Sequence, residues 1–208
     1  MRIVVDGKSD APESVATGTV ADAYDEVASR MQRMGRTVLD VKLDGHVVTP
    51  EGRDEMFGKA AADCERMELG TVDTRELAAN TLSEVRRHLK PLREALESAV
   101  ETLGAMQRLR ALETLKPTLE VWLAVCEAVS KVGILTGRDL SMPVGTGPSV
   151  EQGQQQVLAV LEKTQQVFVN QDWVGLADLI EYDFLPLVET WDRICQVMEA
   201  EASASGRS

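Results

Sequence analysis

From Asp73 onward, apolar residues return every three or four positions, the period of an amphipathic helix. Asp73 and Glu76 form a capping-box-like start. The seam after them runs Ala78, Leu82, Val85, Leu89, Leu92, Leu96, Ala99, Leu103 and Met106. Pro91 lies inside this seam, and because the phase is the same on both sides it predicts a kink rather than a break. A reversal near residues 104–108 precedes a second seam, Leu112, Leu115, Leu119, Trp122, Cys126 and Val129, with Pro117 near its start and Gly137 at its end. Ser149 and Gln152 make a capping box for a third helix with Val157, Leu161, Thr164 and Phe168 on one face. Asp172 caps the last, whose seam runs Trp173, Ala177, Ile180, Phe184, Leu187, Trp191, Ile194 and Met198. Four long amphipathic segments with mostly short connections predict an antiparallel helical bundle over residues 73–200, followed by a small, polar tail, 201–208, read as disordered.

The first 72 residues mix periods. Arg2 to Val5 is a short β-type run, and residues 19–34 place Val20, Tyr24, Val27, Met31 and Met34 on one helical face between Thr19 as cap and Gly35 as stop. Leu39, Val41 and Leu43 then alternate with Asp40 and Lys42 up to Asp44-Gly45, a two-residue hairpin signal, and a further strand falls at Met67 to Val72. The fold class is therefore α+β: a small N-terminal α/β unit in the order β-α-β-β-β, then a bundle of four long helices. The order suggests a ubiquitin-like or split β-α-β arrangement for residues 1–72.

Composition narrows the function. A formal net charge of −12 and an isoelectric point near 4.7 oppose binding to nucleic acid or to an anionic membrane. No stretch is long and apolar enough for a transmembrane span, and the apolar run at the N-terminus is too short for a signal peptide, so a cytoplasmic protein is expected. Cys64, Cys126 and Cys195 are odd in number and lack CxxC or Cys/His spacing, which predicts reduced thiols and disfavours zinc.

Chemical motifs are sparse. Asp178, Glu181, Glu189 and Asp192 share one flank of the last helix, yet a bundle metal site needs inward-facing Glu-x-x-His pairs, and only His46 and His88 exist. Glu84 and His88 are one residue too far apart for that motif, so no metal or cofactor is expected. Arg86, Arg87, Lys90 and Arg93 form the densest basic cluster, able to hold an anion or to pair with the acidic stripe of another helix. The glycine-rich stretch PVGTGPS opens a helix but lacks the spacing and lysine of a phosphate loop. No nucleophile–base set can be assembled, which leaves an enzyme acting through the loop at 137–149 as the third-ranked reading.

The last helix poses a question of its own. With its seam centred on Phe184, Leu179, Tyr182 and Pro186 project from nearly the opposite side, with Leu185 toward one edge, where a solvated face would be charged. Either another part of the monomer covers these residues or a partner does, and Pro186 leaves a carbonyl without its helical donor.

Residues 157–191, VLAVLEKTQQVFVNQDWVGLADLIEYDFLPLVETW, resemble uncharacterised bacterial helical proteins and, more distantly, flagellar export chaperones. That resemblance implies a small acidic helical bundle that binds an amphipathic segment of an export substrate in an apolar groove. The expected function is a non-enzymatic protein-interaction module, a chaperone or adaptor of a flagellar or secretion apparatus whose partner is an amphipathic helix. The alternative is a self-associating structural module, a homo-oligomer.

Overall fold

The computed structural model describes residues 1–9 and 18–204, and the chain divides into two compact units, Met1–Leu77 and Ala78–Ser208, each with its own apolar core. In the first unit, strands β1 (Arg2–Val5) and β2 (Lys8–Ser9) form a hairpin across Asp6-Gly7, both at positive φ. Helix α1 (Val20–Arg33) follows, opened by a capping box between Thr19 and Asp22. Strand β3 (Arg36–Leu43) turns through Asp44-Gly45 into β4 (His46–Val47); a short helix α2 (Arg53–Phe57) and a 3₁₀ turn then lead to β5 (Arg66–Asp73). The sheet order is β2-β1-β5-β3-β4, with β1 parallel and β3 antiparallel to β5. This is the ubiquitin-like member of the two arrangements expected.

Packing explains most of the unit's pattern and corrects part of it. Val20, Ala23, Val27 and Met31 of α1 are buried with Ile3, Leu43, Met67 and Leu69 of the sheet. Tyr24 is half-buried with its ring 5.0 Å from that of Phe57, and the Arg53 guanidinium lies over both. Leu39, expected to point inward with Val41 and Leu43, is exposed instead. The register with β5 skips between Val38 and Asp40, so Leu39 is the extra residue of a β-bulge and the alternation reverses there. Met34, placed on the buried face of α1, is exposed at the helix end.

The second core is helical. Helices α3 (Thr74–Gly104), α4 (Arg108–Leu135) and α5 (Val150–Val169) are followed by α6 (Trp173–Leu179), a π turn (Ile180–Phe184) and α7 (Leu185–Ala204). Glu201 to Ala204 continue α7, where a disordered tail was expected from residue 201; residues 205–208 lie outside those described. Cross-helix pairs fix antiparallel directions. Arg86 meets Asp192 and Glu199 while Arg93 meets Glu189, and Gln154 bonds Ser130 while Phe168 lies beside Leu112 to Leu123. The predicted α3 seam is buried from Ala78 to Leu103, and Met106 is exposed at the turn that follows. Trp122 of α4 and Trp191 of α7 meet edge to face in the core, ring centroids 6.4 Å apart, and both are fully buried. Gly153 of α5 makes room for Trp191: a β-carbon there would stand 3.3 Å from the indole ring.

Candidate functional site

The four residues singled out on the last helix do not share one open face. Leu179 is buried in the helical core and Leu185 is half-buried against it; Tyr182, 70% exposed, and Pro186 face outward. The reason is the π turn. Pro186 lacks the amide that an α-helix would direct to Tyr182, and its ring crowds that carbonyl. Over Ile180–Phe184 the helix widens to i→i+5 bonding, seen where the Leu185 amide reaches the Ile180 carbonyl. The wider turn accommodates an extra residue, so the buried face before it runs Leu176, Leu179 and Ile180, and the expected seam residue Ala177 is only half-buried. From Phe184, the last residue of the turn, onward, Leu187, Trp191, Ile194 and Met198 keep the predicted phase.

The basic and acidic clusters meet each other. Arg86 donates to Asp192 (2.9 Å) and Glu199 (3.2 Å), and Arg93 donates to Glu97 (3.0 Å) and Glu189 (3.1 Å). Arg87 pairs with Glu84 and Lys90 with Glu94 on the same helix. The hydrogen bond to Asp192, and next the one to Glu199, raise the pKa of Arg86. These bonds stitch α3 to α7 at a partly exposed surface, where each pair contributes little stability on its own. Among the described residues no group of three or more His, Cys, Asp or Glu side chains stands close enough to hold a metal ion.

The loop at 137–149 is folded onto itself. Arg138 donates to the carboxylate of Glu201 and to the Pro143 carbonyl (3.0 Å), and Asp139 accepts from the amide (2.9 Å) and hydroxyl (2.7 Å) of Ser141, which hold its carboxyl below the usual range. Val144 is buried, and its amide donates to Pro148. Ser149 and Gln152 exchange the two bonds of the predicted capping box, 2.9 and 3.1 Å. The polar groups of the loop close the α4–α5 connection and cap α5.

An open apolar surface lies on α4, where the sequence pattern gave no separate warning. Its inner seam is Ala111, Leu115, Thr118, Trp122, Val125 and Val129, all buried. A second series, Leu109, Leu112, Lys116, Leu119 and Leu123, advances by three and four along the other side. Leu109 is 72% and Leu123 53% exposed, while Leu112 and Leu119 are half-buried. Two members of the expected seam, Leu112 and Leu119, thus belong to this outer stripe. With Phe168 of α5, and with Leu115 beneath, the stripe lines an open groove of about 440 Å³ edged by Lys116 and Glu120. At the N-terminal end of α4, Met106, Leu109, Arg108, Arg110 and Glu113 line a second recess of about 580 Å³. There Arg108 lies over the Trp173 ring, 5.3 Å from its centroid.

The thiols are all free and buried. Burial pushes Cys126 up to about 11 and Cys195 up to about 12, so neither is poised as a nucleophile.

A family model matches residues 80–194, more than half of the 208-residue chain. The chain belongs to the DUF8042 family, described as a domain of unknown function. The DUF8042 segment begins inside α3 and ends inside α7, so it takes in all of α4, the 137–149 loop and α5, together with the π turn. The sheet unit lies outside it. No curated protein and no solved structure matches the chain. No helix among the described residues is long and apolar enough to cross a membrane.

Proposed function

We propose that this DUF8042 protein is a non-enzymatic protein-interaction module that receives an apolar helix face on the outer stripe of α4. One observation carries the reading: α4 has two apolar sides, and its own bundle buries one while leaving Leu109 and Leu123 of the other exposed and Leu112 and Leu119 only half-covered. A helix that is apolar on both sides has to bury the second one or expose it to water, and a contiguous exposed apolar patch marks an interaction surface. The net charge of −12 keeps a chain with such a patch soluble and turns polyanions away. An enzyme acting through the loop at 137–149 draws no support from that loop, where Asp139 and Ser141 bond each other, Arg138 holds Pro143 and Glu201, and Ser149 caps α5.

An adaptor or chaperone role in a flagellar or secretion apparatus is the finer form of this proposal. It draws on the resemblance of residues 157–191 to export chaperones, and on a groove that an amphipathic helix would fit. Replacing the exposed Leu109 and Leu123 together by Asp tests the module itself. The melting temperature of the variant should match wild type, because neither side chain is in the core, while proteins that co-purify with a tagged wild type from its own cells, an untagged copy of the same chain included, should be lost. An unchanged set of co-purified proteins would sink the reading.

A further inference from the structure

We propose that the occupant of the α4 stripe is the same stripe of a second copy of this chain, the two α4 helices packed antiparallel about a two-fold axis at Lys116. This rests on the interaction reading above and names its partner. Leu109 and Leu123 stand seven residues to either side of Lys116, and Leu112 and Leu119 stand four before it and three after it. An antiparallel pair reverses residue order, so Leu109 of one copy meets Leu123 of the other, and the Leu112 end meets the Leu119 end. A series nearly symmetric about its own middle is what an isologous interface requires, since each copy presents the same patch.

The charges follow the same symmetry. Glu113 and Glu120 lie three residues before and four after Lys116, on the same outward flank of α4. Lys116 makes no ion pair within its own chain among the described residues, whereas Lys131, further along the helix, closes onto Glu127 at 2.6 Å. Glu113 and Glu120 both lie within one turn of Lys116, yet among the described residues it closes onto neither, and its ammonium can reach across. Across the two-fold axis each Lys116 would fall between the Glu113 and Glu120 of the other copy. A uniformly acidic helix would meet Glu113 and Glu120 with like charge, and a uniformly basic one would meet Arg108, Arg110 and Lys116. The mixed set is best matched by its own reverse.

The size of the face sets the strength. From Leu109 to Leu123 the stripe rises ~21 Å, one helix wide, well short of the ~800 Å² per partner of a standard stable interface. The expected assembly is a reversible dimer with a dissociation constant in about the micromolar range.

Sedimentation equilibrium of the full chain over a concentration series tests this. Wild type should pass from monomer to dimer. Lys116→Glu alone, or Glu113→Lys with Glu120→Lys, should each raise the dissociation constant about tenfold or more by setting like charges against each other. An equimolar mixture of the two variants should restore dimers, because opposite charges again meet across the axis. All three positions are exposed, and melting curves confirm folding; the mixture guards against a variant that merely folds badly. A wild-type chain that stays monomeric at about 100 µM, well above the expected constant, overturns self-pairing. So does a dimer that neither charge variant weakens, or a mixture that does not recover. Those results leave the co-purification test of the interaction reading untouched, so the two can fail separately.

Discussion

Two helical segments of this bundle carry apolar residues on more than one side with a proline among them, and they resolve that excess in opposite ways. Across α6 and α7, Pro186 is preceded by a π turn that holds an extra residue, and the face rotates so that Leu176, Leu179 and Ile180 join Phe184 and Trp191 in the core. Of the four residues singled out there, Tyr182 and Pro186 remain outside. Helix α4 passes through Pro117 as a continuous α-helix, its phase does not change, and the series from Leu109 to Leu123 stays at the surface. An apolar surplus on a helix is therefore no evidence of a docking face until the local winding is known.

The largest effect that would break the comparison lies in the core. Phe184→Ala or Trp191→Ala should cost about 3–5 kcal/mol in chemical denaturation, while Leu123→Ala on the open stripe should change stability by no more than about 0.5 kcal/mol. A loss below about 1 kcal/mol at both aromatic sites would refute the assignment of the seam. The prolines sharpen it with a smaller effect. Pro117 is exposed in the interior of a regular helix, so Pro117→Ala should stabilise the bundle, by up to ~3 kcal/mol. Pro186→Ala should gain less than about 1 kcal/mol, because straightening the π turn would rotate Leu176 and Leu179 away from the core and offset the restored hydrogen bond. Equal gains from the two substitutions would mean that the π turn is not tied to the packing before it.

These differences also show what the sequence could reveal. The α3 seam was legible from Ala78 to Leu103 because charged residues such as Arg86, Arg87 and Arg93 mark the other side and leave a single phase. The caps at Thr19, Ser149 and Asp172 were legible because each side chain answers a local amide. Asp44-Gly45 announces its hairpin; Asp6-Gly7 carries the same signal and turns β1 into β2, but the two-residue β2 after it is too short to show an alternation. Leu39 could not be placed, since a bulge depends on the partner strand and not on the alternation of its own. On α4 two apolar series interleave, so steps of three and four can be threaded through Leu112, Leu115, Leu119 and Trp122 without a charged residue to separate inner from outer. The outer stripe was hidden because leucines on either side of Lys116 read as part of the seam.

The central claim is that α4, not the last helix, offers the interaction surface. The most direct test places a photo-crosslinking amino acid at Leu123 in one variant and at Tyr182 in another, both exposed, and irradiates each in the cells that make the protein. Protein–protein adducts from position 123, whether with a second copy or with another chain, and none from position 182 are the expected result. Adducts from position 182 with none from position 123 would contradict the account.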